Sequence, residues 1–218
     1  SAANFLAYSN NLKVVRAANS SSTLNATANG SGVLVENEDD YLSNHESATN
    51  TAYGPFAARW AGALGNTLRV SICPGSTAFS SNLTSTSSVT ANATSAGATT
   101  INVTGTATTN LYVGDLVSFD SGTTYLRTTA VNATAIVVAT AVGSAITVGT
   151  PILRKWQYAD QFGVAPGTSS FVTGLTGSGD EMHVIVVDED GKFSGGVANT
   201  VLEKYSFVSK ASDAINND

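Results

Sequence analysis

Short apolar runs recur at close spacing through the middle of the chain and are separated by turns that contain glycine, serine or aspartate. These runs lie at 100–103, 116–119, 125–127, 135–138 and 146–148. Valine, isoleucine and threonine dominate them, and branched side chains favour the extended backbone of a strand. The pattern predicts four to six short strands that form a small sandwich or barrel.

The flanking parts of the chain have a different pattern. Alternation of Leu68, Val70 and Ile72 predicts a strand over 68–73. A continuous apolar run predicts a buried strand over 182–188, with a turn at Asp188–Gly191 and a return strand over 201–207. We expect these two strands to pair antiparallel in one sheet with 68–73. Val184 and Val186 then share a face, because strand side chains alternate.

Weaker patterns fill the first third of the chain. Residues 56–60 predict an amphipathic turn of helix, and the acidic stretch before Tyr41 predicts a helix start. Residues 19–31 are polar and predict a loop, whereas Val33 lies in a short strand or strand edge.

Charge is distributed unevenly and indicates how the domains are arranged. Of the 26 charged residues in the chain, only Asp115, Asp120 and Arg127 fall within 84–153. We therefore predict an α+β fold in which a domain with a mixed sheet, formed discontinuously by 1–83 and 154–218, carries 84–153 as an inserted all-β domain. The ends of an insert lie close together, and Trp156 begins the return to the parent domain.

Overall composition excludes several classes of function. Charged residues make up 12% of the chain and the net charge is −6, with ten lysines and arginines. Nucleic-acid binding that is independent of base sequence needs a basic face, so we expect no direct nucleic-acid partner. No apolar run approaches the length of a membrane span, and we expect no membrane partner.

The residues most often used in catalysis are scarce. One cysteine and two histidines cannot form a metal cluster, and Cys73 has no partner for an internal disulfide. We expect Cys73 to be a buried structural thiol because nothing basic surrounds it in sequence. His45 lies in a polar stretch and is expected to be solvated, whereas His183 is expected to be a hydrogen-bonded polar group within a strand.

Three further clusters contain residue types that occur in binding sites. The acidic residues Glu36 and 38–40 lack the spacing of a calcium loop. Asp188, Asp190 and Gly191 resemble the start of such a loop, but the next acid is Glu203, so a hairpin turn is the better interpretation. Gly174, Gly177 and Gly179 precede a strand and do not open a helix, which argues against a phosphate cradle. The residues therefore predict no catalytic, metal or cofactor site, and no enzyme.

Several blocks in the flanks carry a resemblance to a known family. The most specific block is 56–73, with its aromatic residue, small residues, Gly-Asn pair and basic strand. In order along the chain the blocks are 2–10, 14–16, 36–41, 56–73, 158–162, 165–169, 181–191, 201–205 and 208–214. They span the flanks, roughly two thirds of the chain, and resemble the contractile tail sheath proteins of myovirus-type bacteriophages, cyanophages among them.

The resemblance implies a structural role in the virion. A sheath subunit assembles in the host cytoplasm and polymerises helically with other copies around the tail tube, in contact with the baseplate. Contraction then drives the tube through the host envelope for genome ejection, without any cofactor. The terminal arms and the C-terminal domain of that family have no counterpart here, so we expect a fragment of a longer protein. By itself this fragment is expected to stay soluble, monomeric and without catalytic activity.

The middle segment, 84–153, matches nothing across that family and corresponds to the variable domains that sheath proteins display on the tail exterior. An alternative function is therefore an adhesin-like module that binds host glycans through the inserted domain. Exposed aromatic side chains would favour this alternative, and the segment offers only Tyr112, Phe119 and Tyr125.

Overall fold

The computed structural model of the chain describes residues 23–30, 32–45, 54–83, 93–103 and 108–211. Strands and short helices alternate along this part of the chain. The strands are β1 (Asn25–Thr27), β2 (Ala57–Ala61), β3 (Leu68–Cys73), β4 (Ser80–Asn82), β5 (Thr100–Asn102), β6 (Leu116–Ser118), β7 (Leu126–Asn132), β8 (Ala135–Val138), β9 (Leu153–Lys155), β10 (Glu181–Asp188) and β11 (Thr200–Ser209). The α-helices are α1 (Glu38–Asn44), α2 (Ser76–Phe79) and α3 (Ser170–Gly174).

The chain divides into two compact units. The first holds the described residues up to Arg69 together with Val187–Thr200, and the second holds Val70–Val186 with the described residues from Val201 onward. These boundaries differ from those predicted for an inserted domain, and the interpretation of 84–153 as a separate domain stays a prediction. The sequence blocks before residue 23 lie outside the described residues.

The first unit contains a two-stranded antiparallel ribbon of β1 and β2, in which Asn25 lies opposite Ala61. Asn25 is buried, and its side-chain amide donates to the carbonyl oxygens of Ala58 and Arg59 at 2.9 and 3.0 Å. Its Oδ1 accepts the N–H of Val35 at 3.2 Å. The prediction of a helical turn over 56–60 is therefore wrong, because pairing with β1 holds this segment extended.

The predicted loop over 19–31 also needs correction, because it contains β1. Asn25 forms an isolated antiparallel bridge with Val33, as expected for a strand edge at that position. The predicted helix start before Tyr41 is confirmed by α1. Its N-cap residue, Asn37, accepts the N–H of Asp40 at 2.9 Å, which satisfies one of the free donors of the first turn.

The second unit is built on a six-stranded sheet in the order β4-β9-β6-β7-β8-β5. All five neighbouring pairs are antiparallel. The core of this region is aliphatic, and its buried residues are Ile101, Val103, Leu111, Val117, Ile136, Val138, Val142, Ile146 and Ile152. Four of the strands predicted from the apolar runs are thus confirmed as β5 to β8, whereas the run at 146–148 forms only a bridge between Ile146 and Thr94.

A separate three-stranded sheet has the order β11-β10-β3, which confirms the predicted association of these segments. Phe207 donates its N–H to the ring of His183 and Lys210 donates to the carbonyl of Asp180, so β10 and β11 run in opposite directions. Along β10 the buried residues are His183, Ile185, Val187 and the last residue, Asp188, while Val184 and Val186 share the less buried face.

Helices and antiparallel sheets together place the chain in the α+β class. The helices are short: α1 is the longest of the described helices, with seven residues. None of them has the length and apolar character that a membrane-spanning segment requires.

Candidate functional site

A groove of about 600 Å³ lies in the first unit between the segment 35–41 and strand β2. Its lining residues are Val35, Glu36, Asn37, Glu38, Tyr41, Ala57, Ala58, Arg59 and Trp60. Two of these are aromatic and three are charged. A volume of this size falls within the range of small-ligand sites in proteins, roughly 300–1,000 Å³.

The sequence forms this groove because two polar anchors hold its walls. The Asn25 side chain ties β2 to the segment before α1, since it bonds both Arg59 and Val35. On the helical wall, Asp40 accepts the N–H of Glu36 and the side-chain amide of Asn44, each at 2.9 Å. The backbone N–H of Glu36 is the main cause that lowers the pKa of Asp40, because it stabilises the ionised carboxylate.

The acidic stretch 36–40 therefore organises a helix start, and the sequence argument against a calcium loop agrees with this geometry. His45 differs from its prediction: its side chain is only 17% exposed, and its Nε2 lies 3.7 Å from the Asp40 carboxylate. The prediction of a solvated His45 is wrong, because α1 places residues 40 and 45 on adjacent turns. Across the groove, Arg59 lies 3.6 Å from Glu38 in an ion pair open to solvent.

Asp188 is the most densely hydrogen-bonded acid in the described part of the chain. Its carboxylate accepts the hydroxyl of Thr67 at 2.7 Å and the backbone N–H groups of Lys192, Phe193 and Ser194 at 2.8–3.0 Å. It also accepts the Ser194 hydroxyl at 3.0 Å. Burial by itself raises the pKa of this carboxyl, but the hydrogen bonds, first that of Thr67, hold it well below its usual range.

These contacts close a loop over residues 188–197, which we call the Asp188 loop. Gly191 has φ +76°, and a Cβ at this position would lie 2.7 Å from the backbone of Gly196 and Val197, so only glycine fits. Asp190 is exposed, and its N–H donates to the Thr67 hydroxyl at 2.8 Å. The predicted hairpin turn at Asp188, Asp190 and Gly191 is confirmed, and Glu203 lies outside it on β11.

His183 is fully buried among aromatic rings. Its ring stacks on Phe162 with centroids 4.4 Å apart and meets Phe79 and Phe207 edge-on. The N–H of Phe207 donates to Nδ1, so Nε2 carries the proton and donates to the carbonyl of Val164 at 2.8 Å. The prediction of a hydrogen-bonded structural histidine is confirmed.

Cys73 is fully buried, as predicted, and its thiol donates to the carbonyl of Gly75 at 3.5 Å. Burial raises the pKa of this thiol, which keeps it protonated and unreactive. Gly174 ends α3, while Gly177 and Gly179 follow it on the way to β10. Within the residues that the structure describes, no group of three histidine, cysteine, aspartate or glutamate side chains is arranged to hold a metal ion.

The structure contains one buried ion pair that the sequence patterns did not predict. Arg154 Nε donates to Asp115 Oδ2 at 2.9 Å, and its Nη1 donates to the carbonyl of Ala78 at 2.6 Å. Both charged side chains are about 5% exposed. The sequence signal was weak: Asp115 is one of three charged residues within 84–153, and a carboxylate that is buried in such a segment needs a partner.

Comparison of the chain with protein families, with curated proteins and with solved structures finds no match.

Proposed function

We propose that this chain is a structural subunit of a contractile tail sheath of a myovirus-type bacteriophage. In this role it polymerises with other copies around the tail tube, contacts the baseplate and shortens during contraction, so that the tube crosses the host envelope. The subunit is assembled in the host cytoplasm and is located in the tail of the virion. The proposed role requires no catalysis and no cofactor.

The observation that carries the proposal joins sequence and structure. Three of the blocks that carry the resemblance are 56–73, which is the most specific, 181–191 and 201–205. The first block is far from the other two in sequence, yet together they supply β3, β10 and half of β11, which are the three strands of one sheet. One sheet built from blocks on both sides of 84–153 is what a parent domain with an interruption requires.

The exposed character of β11 supports an assembling protein. Its outer edge has no partner strand among the described residues. Leu202, Tyr205 and Phe207 are exposed on it to 36%, 49% and 47%. Edge strands with exposed apolar side chains are surfaces on which other chains assemble.

The proposal includes the inserted all-β domain over 84–153. Its support is the antiparallel pairing of β4 with β9, in which Asn82 lies opposite Leu153 and Ser80 opposite Lys155. The two ends of the segment therefore lie side by side, as an insertion needs. Trp156 follows β9, is buried, and donates its indole N–H to Ser71 Oγ at 3.0 Å.

Immunogold electron microscopy tests the proposal directly. Antibodies raised against the 218-residue chain are applied to intact and contracted phage particles from the virus fraction that carries this gene. We expect gold along the whole tail in both states, at a density that rises as the tail shortens. Label confined to the capsid, to the fibres or to free protein would overturn the proposal.

A second candidate is an adhesin-like module that binds host glycans through the middle segment. This candidate is supported by Tyr112, whose side chain is 65% exposed and whose backbone is fixed by hydrogen bonds on both sides of the residue. The N–H of Tyr112 donates to Asp115 Oδ2 at 2.9 Å, and its carbonyl accepts the Thr128 hydroxyl at 2.8 Å. Binding of the full chain to a glycan array, lost in Tyr112→Ala, would favour this candidate; an array without binding would remove it.

A further inference from the structure

The groove between segment 35–41 and β2 is lined by one aromatic residue on each of its walls. Trp60 on β2 is 53% exposed, and Tyr41 on α1 is 38% exposed. Exposed indole and phenol faces carry negative electrostatic potential and attract cations. Neither ring is needed to fill the aliphatic core, which lies in the other unit.

Charges along the same groove favour a positively charged occupant. Glu36 and Glu38 line it, and Asp39 follows immediately on α1. The only cation among the lining residues is Arg59. The local charge is therefore negative, in a chain whose net charge is −6. Such a combination of carboxylates and aromatic faces is complementary to an alkylammonium or guanidinium group.

The side chain of Arg59 is itself a cation that contacts an acidic residue of the groove. Its guanidinium lies 3.6 Å from the Glu38 carboxylate, with the two side chains 80% and 75% exposed. An ion pair this open to solvent contributes little, so it can separate when a second cation arrives. Arg59 therefore acts as an internal competitor for the Glu38 carboxylate.

We propose that this groove binds a lysine or arginine side chain of a neighbouring protein chain, between Trp60 and Tyr41 and against Glu36 and Glu38. The proposal goes beyond the sheath function and does not depend on it. The proposal predicts that the groove binds the cationic side chain more tightly when Arg59, which also lines the groove, is replaced by an uncharged residue. A sugar-binding groove would behave in the opposite way, because Arg59 would then supply hydrogen-bond donors.

The test is a titration of the full chain with acetyl-trilysine amide, followed by NMR. The chain has two tryptophans, and their indole N–H signals report on different places. Trp60 lines the groove, whereas Trp156 is buried and bonded to Ser71. We expect the Trp60 signal to move with added peptide, less so at high salt, while the Trp156 signal stays in place. Acetyl-triserine amide is the uncharged control.

Three variants sharpen the result. Glu38→Gln is expected to lower the affinity for the lysine peptide about threefold or more. Arg59→Gln is expected to raise this affinity by about twofold or more. Asp39→Asn removes the same charge as Glu38→Gln one position away, outside the groove lining, and is expected to have a smaller effect. A sharp Trp60 indole signal and an unchanged Trp156 indole signal in the unliganded variants establish that each is folded.

Several outcomes would overturn the proposal. These are an unmoved Trp60 signal, equal binding of the serine peptide, equal loss in Asp39→Asn and Glu38→Gln, or weaker binding in Arg59→Gln. The last result, together with a Trp60 shift on adding cellobiose, would assign the groove to a carbohydrate. The proposal is supported if the peptide affinity falls in Glu38→Gln and rises in Arg59→Gln.

Discussion

The six-stranded sheet and the Asp188 loop are stabilised in opposite ways. Nine buried aliphatic side chains form the core of the sheet region. The Asp188 loop instead closes on one buried carboxylate, which accepts five hydrogen bonds from hydroxyl and backbone donors. One region shares its stabilisation among many similar contacts, and the other concentrates it on two oxygen atoms.

The difference determines how each region responds to change. Burial of aliphatic surface is non-directional, so each lost methyl group has a graded cost and the neighbours can partly relax. Hydrogen bonds to a buried carboxylate are directional and charge-assisted, so one altered atom leaves several donors unsatisfied. We therefore expect graded effects in the sheet and a local, all-or-none effect in the loop.

The largest expected effect comes from a buried ion pair in the sheet region, where stabilisation is also concentrated on a few charged atoms. Arg154→Met leaves Asp115 buried without its guanidinium, and the two carbonyl acceptors on α2 lose their donor. We expect the free energy of unfolding to fall by about 3–5 kcal/mol, as when other buried ion pairs are broken. Urea denaturation measures the change.

The matched control for that variant is the double substitution Arg154→Met with Asp115→Leu. Removal of both charges leaves no uncompensated ion, so most of the lost stability should return. A single variant that is as stable as the original chain would mean that the pair contributes nothing, and the sheet would then depend on its aliphatic core alone.

The next effect is expected within that core. Ile136 is fully buried on β8 and belongs to the aliphatic core of the sheet region. Ile136→Ala should lower the free energy of unfolding by about 2–5 kcal/mol, because it removes buried methyl groups and leaves a cavity. Val148→Ala, at a position 61% exposed, is the control and should change stability by less than about 0.5 kcal/mol. Equal effects at both positions would contradict the assignment of the core.

Sequence patterns predicted the strands well where local preference and burial agree. Runs such as 135–138 and 182–188 are both rich in branched side chains and buried in the structure, as β8 and β10. Alternation also correctly placed Val184 and Val186 on one face. The alternation did not show which face of β10 is the more buried, because burial depends on what packs against the strand. In the structure the buried face carries His183, Ile185 and Val187.

Patterns failed where a distant contact decides the local structure. Residues 56–60 have the spacing of a helical turn, but Asn25 and β1 hold them extended. The groove formed by this strand and α1 was likewise not predicted, since its walls are 16 or more positions apart in sequence. The hydrogen bonds of Asp188 come largely from backbone N–H groups, which carry no sequence signal of their own.

The Asp188 loop offers a local test of the comparison. Asp188→Asn places an NH₂ group where a carboxylate oxygen now faces N–H donors, so we expect the loop to open. Amide hydrogen exchange at Lys192, Phe193 and Ser194 should accelerate about tenfold or more. Exchange in β8 should not change. Asp190→Asn, at an exposed position in the same loop, is the control and should leave all of these rates unaltered.

The smallest effect is a dependence of the same loop on pH. The pKa of Asp188 is lowered from an ordinary value of 3.8, so the folded chain holds the carboxylate ionised where the unfolded chain binds a proton. Its stabilisation is therefore complete above about pH 5 and is lost progressively as the pH falls through 3.8 toward the folded-state pKa. The amide proton shifts of Phe193 and Ser194 should stay constant from pH 6 to about pH 4 and move only below it. A midpoint at or above pH 4, or the same curve in Asp188→Asn, would show that the loop does not depend on this carboxylate, and the contrast with the aliphatic sheet would fail.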